Sequence, residues 1–392
     1  MAQDPDIFNT SIAEGANEVC VRTTSGTTLT RGEVHSVADS VARSLLAKGL
    51  VLGDMVIIAA ADPLKVILSE FACVLAGLPY LTGYTMRNRI ESGFAQYVNN
   101  LVEIKYMITD AVFDDLLAGP KVSEITEFAS RSSIMSYALT SGTTQGYQKL
   151  IKRYRCQIEQ KCRSQISMMP ADKCLRFSSG NPVVKHVSSW PTAMMIDATS
   201  SVLLGDKSKE TSWSAVFDIV DEFGVDVLDI VKELPTSSVN YATYTDQSQF
   251  WARSDQKYID LRDTLRERSP DHMVSIVPFS STPAMLDIYY DIESNTQNVR
   301  MMPSYSSNDT LALLRCSGTE TAFNRIYRVF HVSALDDIGY IEEGTQELLL
   351  HESQRFEYVD PSLNVYFNGE YVRTGDTFTI HDDGYVSFRS RV

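Results

Sequence analysis

Apolar residues recur at helical spacing early in the chain, where Val34, Val37, Ala38, Val41 and Leu45 define one stripe. Thr30-Arg31-Gly32-Glu33 before it has the form of a capping box, and Gly49 stops it. Val51 to Ala60 then reads as a buried strand. Asp62-Pro63 places proline in the first turn of a second helix, whose stripe is Ile67, Phe71, Val74 and Leu75. Short strands are expected at Leu78 to Thr82, Tyr106 to Thr109 and Ile134 to Leu139. The rhythm resumes with a helix over Arg155 to Ser167, a strand at Cys174 to Ser178, a helix from near Trp190-Pro191 and a strand at Val202 to Leu204. An amphipathic helix follows over Ser214 to Phe223, ended by Gly224. Val225 to Ile230, Met273 to Phe279 and Val299 to Ser304 read as buried strands. Alternating strands and helices imply parallel sheets covered on both faces.

The pattern changes after about residue 321. Strand-like segments now follow one another directly, with turns at Asn368-Gly369 and Asp383-Gly384. The expected fold class is α/β: two stacked parallel-rich sheets covered by helices, plus a small antiparallel β subdomain. The expected divisions are residues 1–175, 176–320 and 321–392.

Composition narrows the function classes. The 392 residues are 44% hydrophobic and 22% charged, ordinary for a globular protein with a large core. A net charge of −15 argues against nucleic acid or an anionic membrane surface as the main partner, but not against ATP. There is no apolar run long enough for a transmembrane helix, and the acidic start MAQDPDIFNT is unlike a secretory signal. The six cysteines form no CxxC pair and read as free thiols in a reducing compartment, which makes the cytoplasm the expected location. Cys162, Cys174 and His186 fit no zinc spacing, so structural thiols are the preferred reading.

Four segments could carry chemistry. Thr140 to Lys149, TSGTTQGYQK, follows the apolar run at Ile134 to Leu139. Glycines there let backbone N–H groups turn toward an anion, Ser and Thr hydroxyls donate further bonds, and Lys149 adds a charge, as in a phosphate cradle. It lacks the Walker A spacing, and a polar turn is the alternative. Pro303 to Asp309 follows a strand, where a tyrosine could stack on a base and an acid could hold Mg²⁺, or the segment could be a plain turn. Tyr371 to Asp376 sets a carboxylate beside a glycine, suited to ribose hydroxyls or to a simple hairpin. His186 near Trp190 reads in isolation as a half-buried histidine.

Taken in order, these segments resemble the adenylate-forming superfamily of acyl- and aryl-CoA synthetases, nonribosomal peptide synthetase adenylation domains and firefly luciferase. The likeness covers nearly the whole chain. TLTRGEVHSVADSVARSLLAKGLVLGDMVIIAAADPLKVILSEFACVLAGLPYL is similar to the family's opening, TSGTTQGYQK to its signature loop, and GEYVRTGDTFTIHDDGYVSFRSR to its Tyr-Arg-Thr-Gly-Asp segment. PFSSTPAML and SYSSND lie at two further family motifs.

The resemblance implies ATP and Mg²⁺. Thr140, Ser141, Gly142, Thr143, Thr144 and Lys149 would hold the β- and γ-phosphates. Tyr305 would stack on adenine, Asp309 would stand at the Mg²⁺-associated acid, and Asp376 with Arg391 would bind ribose. His186 and Trp190 would line the acyl pocket, and Ser280-Ser281 stand at the family's glycine pair beside it. The implied partners are a small carboxylic acid and a thiol acceptor, CoA or a carrier protein. His186 in place of an acidic residue points away from an ordinary α-amino acid and toward an aryl or acyl substrate.

The chain departs from the pattern in several places. Gln145 precedes Gly146, which lengthens the loop by one residue and is similar to plant acyl-amido synthetases. Ser306 replaces a glycine, and Asn308-Asp309 replaces Thr-Glu. The family's C-terminal domain, which carries a catalytic lysine, would follow Arg391. Its expected absence from this chain implies weak or no turnover alone. The alternative expectations are a nucleotide- or ligand-binding relative without catalysis, and an acyl-amido synthetase that transfers to an amine rather than a thiol.

Overall fold

The computed structural model describes residues 15–82, 94–139, 149–166, 174–178, 200–205, 209–230, 247–278, 283–305, 314, 316, 320–364 and 369–391. Among them two compact units form, one from 15–166, 200–205 and 357–361, the other from 174–178, 209–356 and 362–391.

In the first unit, β1 (Val19–Thr23) pairs antiparallel with β2 (Thr28–Thr30) and parallel with β9 (Ser200–Leu204). Helix α1 (Arg31–Ala47) starts at the expected capping box: the Glu33 N–H donates to Thr30 Oγ1 at 3.2 Å, and the Thr30 N–H donates to the Glu33 carboxylate at 2.8 Å. Its buried face is Val34, Ala38, Val41 and Leu45. Helix α2 (Pro63–Leu75) is capped by Asp62, which accepts the Leu64 N–H at 2.8 Å. The strand before it, β3 (Met55–Ile58), is shorter than the expected Val51 to Ala60. Val51 and Leu52 are 60% and 41% exposed in a turn, where the Asp54 carboxylate accepts the Val51 N–H.

The second sheet of this unit also contains β4 (Tyr80–Thr82), β5 (Ile104–Ile108), β6 (Ile134–Leu139), β7 (Leu150–Tyr154) and β16 (Glu357–Tyr358), in the order β16-β7-β6-β4-β3-β5. β6, β4, β3 and β5 run parallel, whereas β7 is antiparallel to β6 and to β16. The hairpin partner β7 has no counterpart in the sequence-based expectation. One face buries Met55, Ile57, Leu81, Tyr137 and Leu150 against Val98 of α3 (Phe94–Leu101). Helices α4 (Asp110–Ala118) and α5 (Arg155–Ile166) complete the unit.

In the second unit, β8 (Cys174–Ser178), β10 (Val227–Asp229), β11 (Val274–Val277) and β12 (Val299–Met301) pair in parallel in that order. Parallel strands require long crossovers. These are helical here, with α6 (Trp213–Phe223), α7 (Gln247–Glu267) and α8 (Pro283–Asn295). Arg176 of β8 and Asp229 of β10 form a buried ion pair.

After α9 (Ala322–Tyr327) the chain turns antiparallel. β13 (Phe330–His331), β14 (Gly339–Ile341), β15 (Glu347–His351), β17 (Tyr371–Ile380) and β18 (Tyr385–Arg391) take the order β13-β18-β17-β15-β14. Phe330, Leu348, Leu350, Phe378 and Val386 are its core. The chain is thus mixed α/β, with parallel-rich sheets and a small antiparallel sheet. Among the described residues, no helix is long and apolar enough to cross a membrane.

Candidate nucleotide site

Register explains how Asp376 is presented. On β15, Glu347 faces Thr377 and Leu349 faces Arg373, so Thr374-Gly375-Asp376 bulges out of the ladder. Gly375 has φ of +74°, a conformation that a Cβ disfavours. Local bonds hold the bulge. Thr374 Oγ1 donates to the Leu348 carbonyl at 2.8 Å and accepts the Asp376 N–H at 3.1 Å. Glu347 accepts the Gly375 N–H at 2.9 Å through one oxygen and the Arg373 guanidinium through the other. The hydrogen bonds that Arg373 donates to Glu347 and then to Glu342 raise its pKa above its ordinary value.

Tyr305 reaches this bulge from the chain after β12. Its backbone exchanges hydrogen bonds with Leu314 at 2.7 and 2.9 Å, and its ring meets Phe378 edge-on at 5.3 Å. Its hydroxyl donates to Asp376 Oδ2 at 2.8 Å. The Asp376 carboxylate is buried. Two residues named from separate motifs, 71 positions apart, are therefore in direct contact. Backbone register also sets Arg391 opposite Asp376. Glu347 was not anticipated as part of this arrangement; the only local signal is an acid heading the apolar run ELLLH.

In the first unit, Leu139 of β6 pairs with Leu150 of β7, so Lys149 immediately precedes β7. Its ammonium lies over the Tyr358 ring, 5.2 Å from the centroid. Beside it, Glu357 accepts from Lys152 Nζ at 2.6 Å and from the Tyr154 hydroxyl. Burial draws the Glu357 carboxyl upward, but these two hydrogen bonds outweigh it and leave it below its ordinary value. The Tyr154 phenol is pushed well above its usual range by burial and by Glu357.

Thr140, Ser141, Gly142, Thr143, Thr144, His186, Trp190, Ser280, Ser281 and Asp309 lie outside the described residues. Among the described residues, no group of three or more His, Cys, Asp or Glu is placed to hold a metal. Cys20, Cys73, Cys156 and Cys316 are free thiols. Burial lifts Cys20 to about 11 and Cys316 to about 12.

No protein-family profile matches the chain, and neither does any curated protein sequence. Solved structures do match. o-Succinylbenzoate CoA synthetase (MenE) from Bacillus subtilis, as a double mutant bound to its product analogue OSB-NCoA, has a TM-score of 0.77 at 15% identity over 99% of this chain and 78% of that one. ATP-bound MatB from Rhodopseudomonas palustris has a TM-score of 0.72 at 16% identity, covering 98% and 78%. NpsA-ThdA, an artificially fused adenylation–PCP di-domain from Klebsiella oxytoca, has 0.74 at 14%, covering 99% and 78%. The chain has the adenylate-forming fold.

Proposed function

We propose that this protein activates a carboxylic acid with ATP. A substrate carboxylate oxygen attacks the α-phosphorus, the bond to the bridging oxygen breaks, and pyrophosphate leaves an acyl-adenylate. The acyl group then passes to a thiol of CoA or of a carrier protein. The observation that carries this reading is the Tyr305–Asp376 hydrogen bond at 2.8 Å, which joins the proposed adenine and ribose residues in one place. The fold supports it, since structures of that fold include one bound to ATP and one bound to AMP.

In this reading Asp376, aided by Arg391, accepts the ribose hydroxyls, and Tyr305 lies against adenine. Thr140, Ser141, Gly142, Thr143, Thr144 and Lys149 hold the β- and γ-phosphates. Positioning and charge stabilisation supply most of the rate. Mg²⁺ would neutralise phosphate charge, with Asp309 as its protein ligand. One carboxylate suffices, because Mg²⁺ in such sites keeps waters and takes phosphate oxygens rather than an all-protein cage. His186, Trp190, Ser280 and Ser281 line the acid pocket, and His186 favours an aryl or acyl group over an α-amino acid.

Thermal stabilisation tests the reading. A ligand selective for the native state adds about 2.7 kcal/mol at a hundredfold excess over its Kd. Mg·ATP is expected to stabilise the chain, and one acyl-adenylate analogue in a panel is expected to do so far more. Asp376→Asn should weaken ATP about ten- to a hundredfold while leaving 2′,3′-dideoxy-ATP unchanged, since a charged hydrogen bond to the hydroxyls is worth about 1.5–3 kcal/mol. No shift with ATP or any adenylate refutes the proposal. The substitutions at Ser306 and Asn308-Asp309 favour a second reading, a nucleotide-binding relative without catalysis, which predicts ATP binding with no pyrophosphate exchange.

A further inference from the structure

We propose that Tyr358 is a positioning residue for Lys149, holding the lysine ammonium ready for the ATP β- and γ-phosphates. The inference rests on reading Lys149 as a phosphate ligand. The short strand β16 lies along β7 with Tyr358 opposite Ile151 and Glu357 opposite Lys152. The Val359 N–H donates to the Leu150 carbonyl at 2.9 Å. Glu357 fastens the strand from its side chain, through Lys152 at 2.6 Å and the Tyr154 hydroxyl. With its neighbours fixed in this way, Tyr358 is 4% exposed and its ring lies under the Lys149 ammonium at 5.2 Å.

A lysine side chain is a point charge on a flexible stem, so ordering it on binding is costly. A ring face attracts the cation without supplying a counter-charge, because the attraction comes from the ring quadrupole. The ring contact therefore does not itself cancel the ammonium's charge, as a carboxylate in the ring's place would. Lys149 immediately precedes β7, whose Leu150 pairs with Leu139 of β6, so the ring contact holds its side chain beside the start of that strand. Neither Tyr358 nor Glu357 lies in the loop, and both come more than two hundred residues later.

The experiment compares Kd for ATP and for AMP, which lacks the β- and γ-phosphates, in the 392-residue chain and its variants. Lys149→Ala should weaken ATP and spare AMP, which establishes the underlying reading. Tyr358→Leu should weaken ATP about tenfold and spare AMP, while Tyr358→Phe, which keeps the ring face, should bind both normally. Pentafluorophenylalanine at 358 keeps the shape but reverses the ring's quadrupole, so it should behave as Tyr358→Leu even if the leucine variant folds poorly. Equal loss of ATP and AMP in both altered-face variants, or no loss of ATP in either, overturns the proposal. If Lys149→Ala leaves ATP binding intact, the phosphate reading of Lys149 fails first, and this inference fails with it.

Discussion

Glu70 lies on α2 with its carboxyl group out of water, 1% exposed. Thr82, at the end of β4, donates to one oxygen at 2.6 Å, and the other oxygen has no hydrogen-bond partner among the described residues. Burial raises its pKa from 4.5 to about 7, against the opposing bond from Thr82. Cys73, on the same helix, is also raised, by its own burial and then by Glu70. Between 4.5 and 7 the folded state holds the proton more tightly than the unfolded state, so stability falls as pH rises through that window. The loss is about 3 kcal/mol at most, from the size of the shift. Urea unfolding at pH 5 and pH 8 should show this fall, and Glu70→Gln should flatten it and be the more stable of the two at pH 8. A variant with the same pH slope would remove Glu70 as its source. At this scale the sequence exposed Tyr305 and Asp376 through the chemistry of their motifs. It concealed the contacts of Glu347, Glu357 and Tyr358, because they depend on strand register with residues far away.

Elements with a local cause were legible, and those with a distant cause were not. The α1 capping box and the α6 stop are written in adjacent residues. Gly224 ends α6 with φ of +66°, and its N–H donates to the Val220 carbonyl. A Cβ placed there would meet nothing within 4 Å, so the cost of a side chain is conformational alone. Gly224→Ala should lower stability by about 1 kcal/mol in urea unfolding, and Gly224→Asn by less, because asparagine tolerates the left-handed region. Equal stability of all three proteins would mean that the αL conformation is not maintained. β7 shows the opposite case. Its sequence LIKRY carries Lys152 and Arg153, which interrupt any apolar pattern. Lys152 finds its partner in Glu357, 205 positions away, and Arg153 is 4% exposed opposite Ser136. The local pattern therefore gave no sign of a strand that completes the hairpin around the proposed phosphate loop. Val51 and Leu52 err the other way, since two apolar side chains in an exposed turn extended the expected strand.

At the scale of the whole molecule, the alternation of strands and helices gave the class of fold. It did not show that Glu357–Pro361 joins the first unit while the residues on either side join the second. Such an excursion depends on pairing with β7 and leaves no trace in composition. Net charge belongs to this scale as well. At −15 the chain repels anions at long range, yet the proposed substrates ATP and CoA are both anionic. Long-range repulsion is screened by salt, since the Debye length shortens from about 30 Å at 0.01 M to about 8 Å at 0.15 M. The contacts proposed for Lys149 and the Thr140-to-Gln148 segment would act over a few ångströms and be screened far less. The association rate of Mg·ATP should therefore rise about twofold or more between those ionic strengths, with dissociation little changed. Stopped-flow binding measures both rates. A rate that falls with salt would mean that cations near the site outweigh the molecule's overall charge, and that the loop recruits nucleotide from a distance as well as holding it.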